Sequence, residues 1–528
     1  MGNDIQILRR SSVARVYVVR RIRQGTRYWP LLWAVGVGLG LATWLYIVWA
    51  YKGQPGDDPY ITYRYAYNLV AGNGFVFNAG ERVQSTTAPL FTMLLALGGY
   101  AGFDIPALGY AFSVMCLLAF AVCCVGYLSS ADRQLTWPAA AAATLTFVCP
   151  VTTFGLGTEM PLLVALSWAS WWAFASRRWA ACALLAGLAA LTRGDGLLVG
   201  VAVALVFVWT HRGVPLPRWP WHAPLLYLLA VGPWYLFAWL YFGSPLPATL
   251  GAKVAQGSAR GTVTFFEGLG YFWTHSLGNQ AALWLPALAL LAVGLVGIVR
   301  RGSALALPLV WSALFIAGFS LLHVPRYPWY YSPLVPVAMV ALVIGGGLTA
   351  SLTVGASRRT MPRPSWPLWP LTEGQTQAAV RTSFALAAAC LVGAIYLWQD
   401  VATPRPQMAP RSQLYVSIGR WLAANTSQGA TVGAEEVGLL GYYSGRDIID
   451  FVGLLQPDVA SRRAAGDNLW AVETYRPEYI VAMPAWLSAV GEQPWVREHY
   501  APLRTFTWPG SDQATLLQRK PGGGKSKK

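Results

Sequence analysis

Apolar stretches long enough to cross a lipid bilayer recur along the chain from Leu31 to Gln399, and they constrain its fold more than any other feature. A membrane helix needs about 20 mostly apolar residues, because the hydrocarbon layer holds no water to satisfy an open backbone. The runs predict eleven spans: Leu31–Tyr51, Ile105–Ser130, Trp137–Leu156, Met160–Ala175, Trp179–Leu191, Gly196–Thr210, Leu225–Phe242, Asn279–Val299, Ser303–Leu322, Tyr331–Leu352 and Gln377–Gln399. Pro89–Tyr100 is apolar but short; it reads as a half-helix on or dipping into the membrane face, the alternative being a twelfth span. Composition agrees: 55% of the residues are hydrophobic and only 12% charged, where a soluble domain carries about 25% charged residues. That balance excludes a cytosolic enzyme, a disordered chain and a disulfide-stapled secreted domain.

Cytoplasmic loops retain Lys and Arg, so the placement of the bases predicts orientation. Seventeen fall on one side: Arg9, Arg10, Arg15, Arg20, Arg21, Arg23 and Arg27 at the N-terminus, then Arg133, Arg177, Arg178, Arg212, Arg218, Arg300, Arg301, Arg358, Arg359 and Arg363 in alternate loops. Only seven fall on the other: Lys52, Arg64, Arg82, Arg193, Lys253, Arg260 and Arg326. The expectation is a multi-pass plasma-membrane protein with a cytoplasmic N-terminus, an uncleaved first span and everything after about Asp400 outside. Most of the net charge of +17 is then a topology signal, and nucleic acid is not expected as a partner.

The acids show the opposite bias. Up to residue 399, Asp57, Asp58, Glu81, Asp104, Glu159, Asp195 and Glu267 fall on or near the predicted outer face, against Asp4, Asp132 and Glu373 inside. No ionisable residue of the Asp, Glu, Lys or Arg type sits at the middle of a predicted span, which is where ion-driven transporters usually place them. Acids and a few bases gathered at one membrane surface suit an enzyme that joins a lipid-embedded substrate to a water-side partner.

From Asp400 the composition becomes that of a soluble domain. A helix is expected near Ser412–Ala424, followed by short strands in RDIIDFVGLL, PEYIVAMP and QATLLQR, hence a small α/β domain over 400–518 and a disordered basic tail over 519–528. The preceding units are a basic segment over 1–30 and a membrane domain over 31–399 with a large first outer loop, 52–104. The six cysteines all lie in or at the ends of apolar spans and read as packing residues, and no Cys/His spacing fits a zinc site.

The first outer loop is the most informative stretch. Asp57 and Asp58 follow the first span by a few residues, so they lie close to the membrane surface. One carboxylate would act as a general base with the other orienting it or holding a metal; two adjacent acids also suit a turn before Pro59 or a salt bridge to Arg64. If the segment is helical, Tyr60, Arg64 and Tyr67 share a face. Such a stripe suits a sugar or a phosphate, and equally an interfacial anchor.

The run DDPYITYRYAYNLVAGNGFVFNAGERV followed by TTAPLFTMLLAL resembles the first-loop signature of GT-C-type membrane glycosyltransferases, in particular the bacterial group that includes the mycobacterial terminal arabinofuranosyltransferases. GLGTEMPLL, ALTRGDGLL, YFGSPLPATLGAK and HVPRYPWYYSPLVP follow in the same order, and GAEEVGLLGYYSGRDIIDFVGL is similar to the outer domain of that group. The resemblance implies an α-helical polytopic GT-C-like membrane protein of about 11 transmembrane helices with a C-terminal extracytoplasmic α/β domain. It also implies an inverting transferase that passes a sugar from a polyprenyl-phosphate donor to an envelope glycan, glycolipid or protein.

In such a transferase the first-loop acid is the base, here Asp57 or Asp58, with Asp57 the favoured base and Asp58 its partner. Arg64, Lys253, His323, Arg326, Tyr327 and Tyr330 are the candidates for the donor phosphate or sugar, and Glu159, Arg193 and Asp195 for the acceptor. Several have plainer readings: Arg326, Tyr327 and Tyr330 as an interfacial belt, Lys253 as a solvated loop charge, Glu159 as a favourable helix N-terminal charge, and Arg193 with Asp195 as a structural ion pair. No metal is expected to be essential, although hard oxygen ligands such as Asp57, Asp58 and Glu159 would suit magnesium or manganese. The competing readings are a transporter or lipid-carrier flippase without transferase activity, and a glycan-binding module on an inert membrane base.

Overall fold

The computed structural model describes residues 56–356 and 410–521, apart from 214, 216–218, 259–260, 272–284 and 303–304. The expected spans Leu31–Tyr51 and Gln377–Gln399 and the cysteine Cys390 lie outside the described residues.

The first part is helical throughout: α1 (Asp58–Val70), α2 (Pro89–Tyr100), α3 (Ile105–Ala131), α4 (Thr136–Val148), α5 (Pro150–Thr153), α6 (Met160–Ala175), α7 (Trp179–Thr192), α8 (Leu197–Thr210), α9 (His222–Phe242), α10 (Ala248–Gly257), α11 (Phe265–Tyr271), α12 (Leu285–Arg300), α13 (Ala306–Leu321) and α14 (Val335–Ala356). Among the described residues three stretches are long and apolar enough to cross a membrane, namely Ile105–Ala131, His222–Phe242 and Pro328–Thr349; shorter apolar helices accompany them. The expected span Trp137–Leu156 is broken instead. Cys149 is extended ahead of Pro150, as steric conflict with a following proline favours, and α5 is a separate single turn.

The bundle interior is aromatic and small-residue rich. Trp168, Trp171 and Trp311 are fully buried and contact one another edge-on or tilted. Where α12 crosses α14, a Cβ on Gly294 or Gly345 would overlap backbone of the facing helix. Such crossings suit membrane helices, whose association depends on close packing in the absence of a hydrophobic driving force from water. The five described cysteines are all buried and free, in keeping with the packing role.

Residues 410–521 form an α/β unit. Helix α15 (Pro410–Asn425) precedes β1 (Thr431–Ala434), α16 (Gly438–Ser444), β2 (Asp447–Asp450), α17 (Pro457–Ala464), α18 (Trp470–Tyr475), β3 (Tyr479–Ala482), α19 (Pro494–His499), β4 (Tyr500–Phe506) and β5 (Ala514–Arg519). The five strands run in the order β2-β1-β3-β5-β4, with β1 parallel to β2 and β3, and β5 antiparallel to β3 and β4. Helix α16 is the crossover that a parallel β1–β2 pair requires. The expected helix and strands are present; β1 and β4 are additions.

The two parts share one hydrophobic cluster, in which Tyr60 and Phe77 join Leu439 and Leu440. Helix α16 packs on α1, and α17 packs on α10. The Asn78 side chain acts as a strand edge for β2: its Nδ2 donates to the Ile448 carbonyl (2.8 Å), and its Oδ1 accepts from the Ile448 amide (2.9 Å).

Candidate active site

Helix α1 organises the site. Pro59 in its first turn and Asp58 at its positive end both favour initiation there. The helical face expected from spacing forms, with the Arg64 guanidinium 5.8 Å from the Tyr67 ring centroid. Tyr60, Tyr63 and Tyr65 have no exposed surface; each such ring buries about 150–250 Å², which at about 25 cal/mol per Å² is roughly 4–6 kcal/mol before entropy is counted. Tyr63 donates from its hydroxyl to the Gly157 carbonyl at 2.5 Å, tying α1 to the turn that carries Glu159. Asn68 Nδ2 donates to the carbonyls of Val76 (2.9 Å) and Phe77 (2.7 Å), folding the rest of the first loop back on α1. That loop then reaches α10, where the Ala248 amide donates to the Gln84 carbonyl at 2.9 Å.

The two adjacent acids have different fates. An Asp at a helix N-cap ordinarily accepts from its own helix's second or third amide, but Asp57 does not cap α1. Its Oδ2 accepts from the Gly438 amide (3.0 Å) and its Oδ1 from the Leu439 amide (2.7 Å), so it caps α16 of the C-terminal unit instead. A Cβ on Gly438 would overlap the Asp57 carbonyl oxygen, so the approach needs glycine there. Burial, reinforced by Glu436, raises Asp57 to about 7, while the Leu439 and Gly438 amides pull the other way. Burial also raises Glu436, which pairs with Arg411 at 2.6 Å. Asp58, half-buried like Asp57, lies within electrostatic reach of Lys253. Neither acid pairs with Arg64.

Lys253, on α10, is placed over the Tyr327 ring with Nζ 4.1 Å from its centroid. Burial alone would lower its ammonium; Asp58, Tyr330 and Tyr327 more than offset this and hold it above the ordinary lysine range. Tyr327 donates to Gln256 Oε1 at 3.1 Å and packs edge-on against Tyr330. Arg193 lies beyond, 5.5 Å from the Tyr330 ring centroid, with Nη1 2.6 Å from Glu159 and Nε 3.0 Å from Asp195. One guanidinium thus spans two carboxylates; the ion pair expected between Arg193 and Asp195 is present, and Glu159 joins it.

Asp57, Asp58, Glu159, Arg193, Asp195, Lys253, Tyr327 and Tyr330 therefore form one connected set. Arg64 is directed elsewhere: it is buried, its Nε donates to the Phe77 carbonyl (3.3 Å), and burial lowers it among Tyr67, Asp447, Tyr442 and Arg446. His323 is exposed, its Nδ1 3.1 Å from the Leu321 carbonyl. Arg326 lies against Gly268 and near Tyr331. Among the described residues no three His, Cys, Asp or Glu side chains converge as metal ligands. Sequence reasoning missed Glu436, Gly438 and Leu439; the paired acids of GAEEVGLL are the only local signal, and nothing in the sequence links them to residue 57.

Comparison with known proteins places this geometry. A family described as a domain of unknown function (DUF8728) matches residues 405–521. The terminal beta-(1->2)-arabinofuranosyltransferase of Mycobacterium tuberculosis is 28% identical over 302 residues, which are 52% of this chain and 44% of the relative. The resemblance carried by the first-loop and later motifs is met by that match, and the matched stretch spans less than half of the relative's length. Among solved structures, ArnT from Cupriavidus metallidurans bound to undecaprenyl phosphate superposes with a TM-score of 0.54 at 13% identity, covering 93% of this chain and 98% of that one. The Archaeoglobus fulgidus oligosaccharyltransferase in its apo form gives 0.54 at 12% identity, covering 92% and 75%. Its complex with an inhibitory peptide and a dolichol-phosphate gives 0.53 at 13%, covering 90% and 74%. The chain has their fold, so the GT-C-like architecture expected from sequence is the one observed.

Proposed function

We propose that this chain is an inverting glycosyltransferase that moves a sugar from a polyprenyl-phosphate donor to an envelope glycan, glycolipid or protein on the extracytoplasmic side of the membrane. One observation carries the reading: a half-buried acid, Asp58, lies within electrostatic reach of a half-buried lysine, Lys253, whose ammonium sits over the Tyr327 ring and near Tyr330. The fold supports it, since relatives in structure are seen with undecaprenyl phosphate and dolichol-phosphate.

In this reading the acceptor hydroxyl attacks the anomeric carbon from the side opposite the phosphate, and Asp58 takes its proton as the new C–O bond forms. The bond from the anomeric carbon to the phosphate oxygen breaks, and the polyprenyl phosphate departs with its electron pair. Lys253 stabilises the charge that develops on it, with Tyr327 and Tyr330 shaping the pocket. Asp58 rather than Asp57 is assigned the base because both Asp57 oxygens already accept amide hydrogen bonds. Arg193, neutralised by Glu159 and Asp195, holds Tyr330 in place and offers those carboxylates to acceptor hydroxyls. Arg64, His323 and Arg326 are left outside the donor site.

The test is transfer of label from a radiolabelled polyprenyl-phosphate sugar to an envelope glycan by the purified protein, with the product's anomeric configuration read by NMR. Transfer with inversion is expected. Movement of the lipid-linked sugar across vesicles with no transfer favours the carrier reading and overturns this one.

A further inference from the structure

We infer that the C-terminal unit is part of the catalytic centre: it clamps Asp57 through the Gly438 and Leu439 amides and sets Glu436 beside the acid pair, so that Asp58 is held in register with Lys253. This rests on the transferase reading and assigns a role to the region matched by a domain of unknown function.

Three independent contacts support it. The first is the clamp, in which both carboxylate oxygens of Asp57 are taken by consecutive backbone amides at 3.0 and 2.7 Å. Those amides are first-turn donors of α16 with no partner inside their own helix, so the contact satisfies groups on both sides of the seam at once. The second is steric: Gly438 admits the Asp57 backbone where any side chain would overlap it. The third is bracketing. The same unit packs α16 on α1, which starts with Asp58, and α17 on α10, which carries Lys253. Tyr60 extends the first seam, its hydroxyl 3.2 Å from that of Tyr443. A shift of this unit would therefore move the assigned base and the phosphate-side lysine relative to each other, and catalysis is sensitive to displacements of about 1 Å.

Glu436 gives the clamp an electrostatic effect as well. Asp57 feels Glu436 and Asp58 and itself acts on Tyr415; Asp58 acts on Lys253, Tyr330 and Glu436; Glu436 is balanced by Arg411 and raised further by Glu435 and Asp58. Removing the Glu436 charge relieves the repulsion on Asp57, so the carboxylate that forms the clamp ionises at lower pH.

Two readouts test the inference, one of them independent of turnover. Carbodiimide–glycinamide footprinting with peptide mass spectrometry on the full-length protein in detergent should show Asp57 protected and Asp58 labelled. In Gly438→Ala, Asp57 should become labelled and kcat should fall by about 10- to 100-fold, the range expected for a misplaced reacting group, with donor KM little changed. Glu436→Gln needs no backbone shift; it should lessen the fall in melting temperature as pH rises toward about 7, because Asp57 then ionises at lower cost. Asn78→Ala breaks the separate contact to Ile448, and should lower the melting temperature without changing that pH dependence.

Equal labelling of Asp57 and Asp58 in the wild type overturns the inference, as does a Glu436→Gln melting temperature with the same pH dependence as the wild type. A wild type that shows the expected footprint but transfers no sugar removes the transferase reading and leaves the clamp standing.

Discussion

Replacing each of the adjacent acids by its amide should give opposite outcomes, because both oxygens of Asp57 accept backbone amides while Asp58 lies within reach of Lys253. In Asp57→Asn one carboxylate oxygen becomes an NH₂ group facing the amide of Gly438 or Leu439. One charge-assisted hydrogen bond, worth about 1.5–3 kcal/mol, is lost and an amide is left without an acceptor. Relief of the burial cost and of the repulsion from Glu436 and Asp58 offsets part of this. The net is a destabilisation of about 1–2 kcal/mol concentrated at the seam between the two units. In Asp58→Asn the side chain is half-buried and keeps its shape, so stability should stay within about 0.5 kcal/mol of wild type. Its loss as general base should lower kcat by about 10²- to 10⁴-fold, or roughly 3–5 kcal/mol of barrier. Thermal melting in detergent and single-turnover transfer from a labelled polyprenyl-phosphate sugar measure the two effects separately. Wild-type turnover by Asp58→Asn refutes the assignment of the base. A reversed pattern, with Asp57→Asn stable but inactive and Asp58→Asn active but unstable, refutes the whole division of roles.

Lys253→Met keeps the aliphatic stem against Tyr327 but removes the charge, and kcat/KM for the donor should fall by about 10²- to 10³-fold while the melting temperature stays nearly constant; an unchanged kcat/KM would show that the leaving phosphate is stabilised elsewhere. Transfer is expected to survive EDTA, since Lys253 supplies the positive charge at the phosphate, and complete loss with rescue by magnesium or manganese would overturn that expectation.

Much of the site was legible because its parts are locally encoded. The acids of α1 are adjacent in sequence and start a proline-led helix, so Asp57 and Asp58 stand out before any fold is known. The Tyr60, Arg64 and Tyr67 stripe follows from the helical period, yet the period cannot say what the stripe meets. Arg64 lies between α1 and the C-terminal unit among Asp447 and Arg446, and so leaves the phosphate set to which spacing assigned it. His323 and Arg326 share a short outer motif with Tyr327 and Tyr330, but a left-handed backbone at His323 (φ 49°) turns the chain there, and only the tyrosines reach Lys253 and Arg193. The break at Cys149–Pro150 is written in the sequence as a proline, and it ends α4 although the residues around it are apolar enough to suggest a continuous span.

Hydrophobic runs, charge bias and local capping chemistry depend on residues within a few positions of one another, so the sequence by itself determined that the chain builds an apolar helical unit, that an α/β unit follows, and that the first loop holds an adjacent pair of acids. Which of two neighbouring carboxylates is free was decided only by tertiary structure. That choice depends on two backbone amides some 380 residues further along, and backbone amides have no side-chain signature; only folding brings α16 to the end of α1, ties up Asp57 there and leaves Asp58 within electrostatic reach of Lys253.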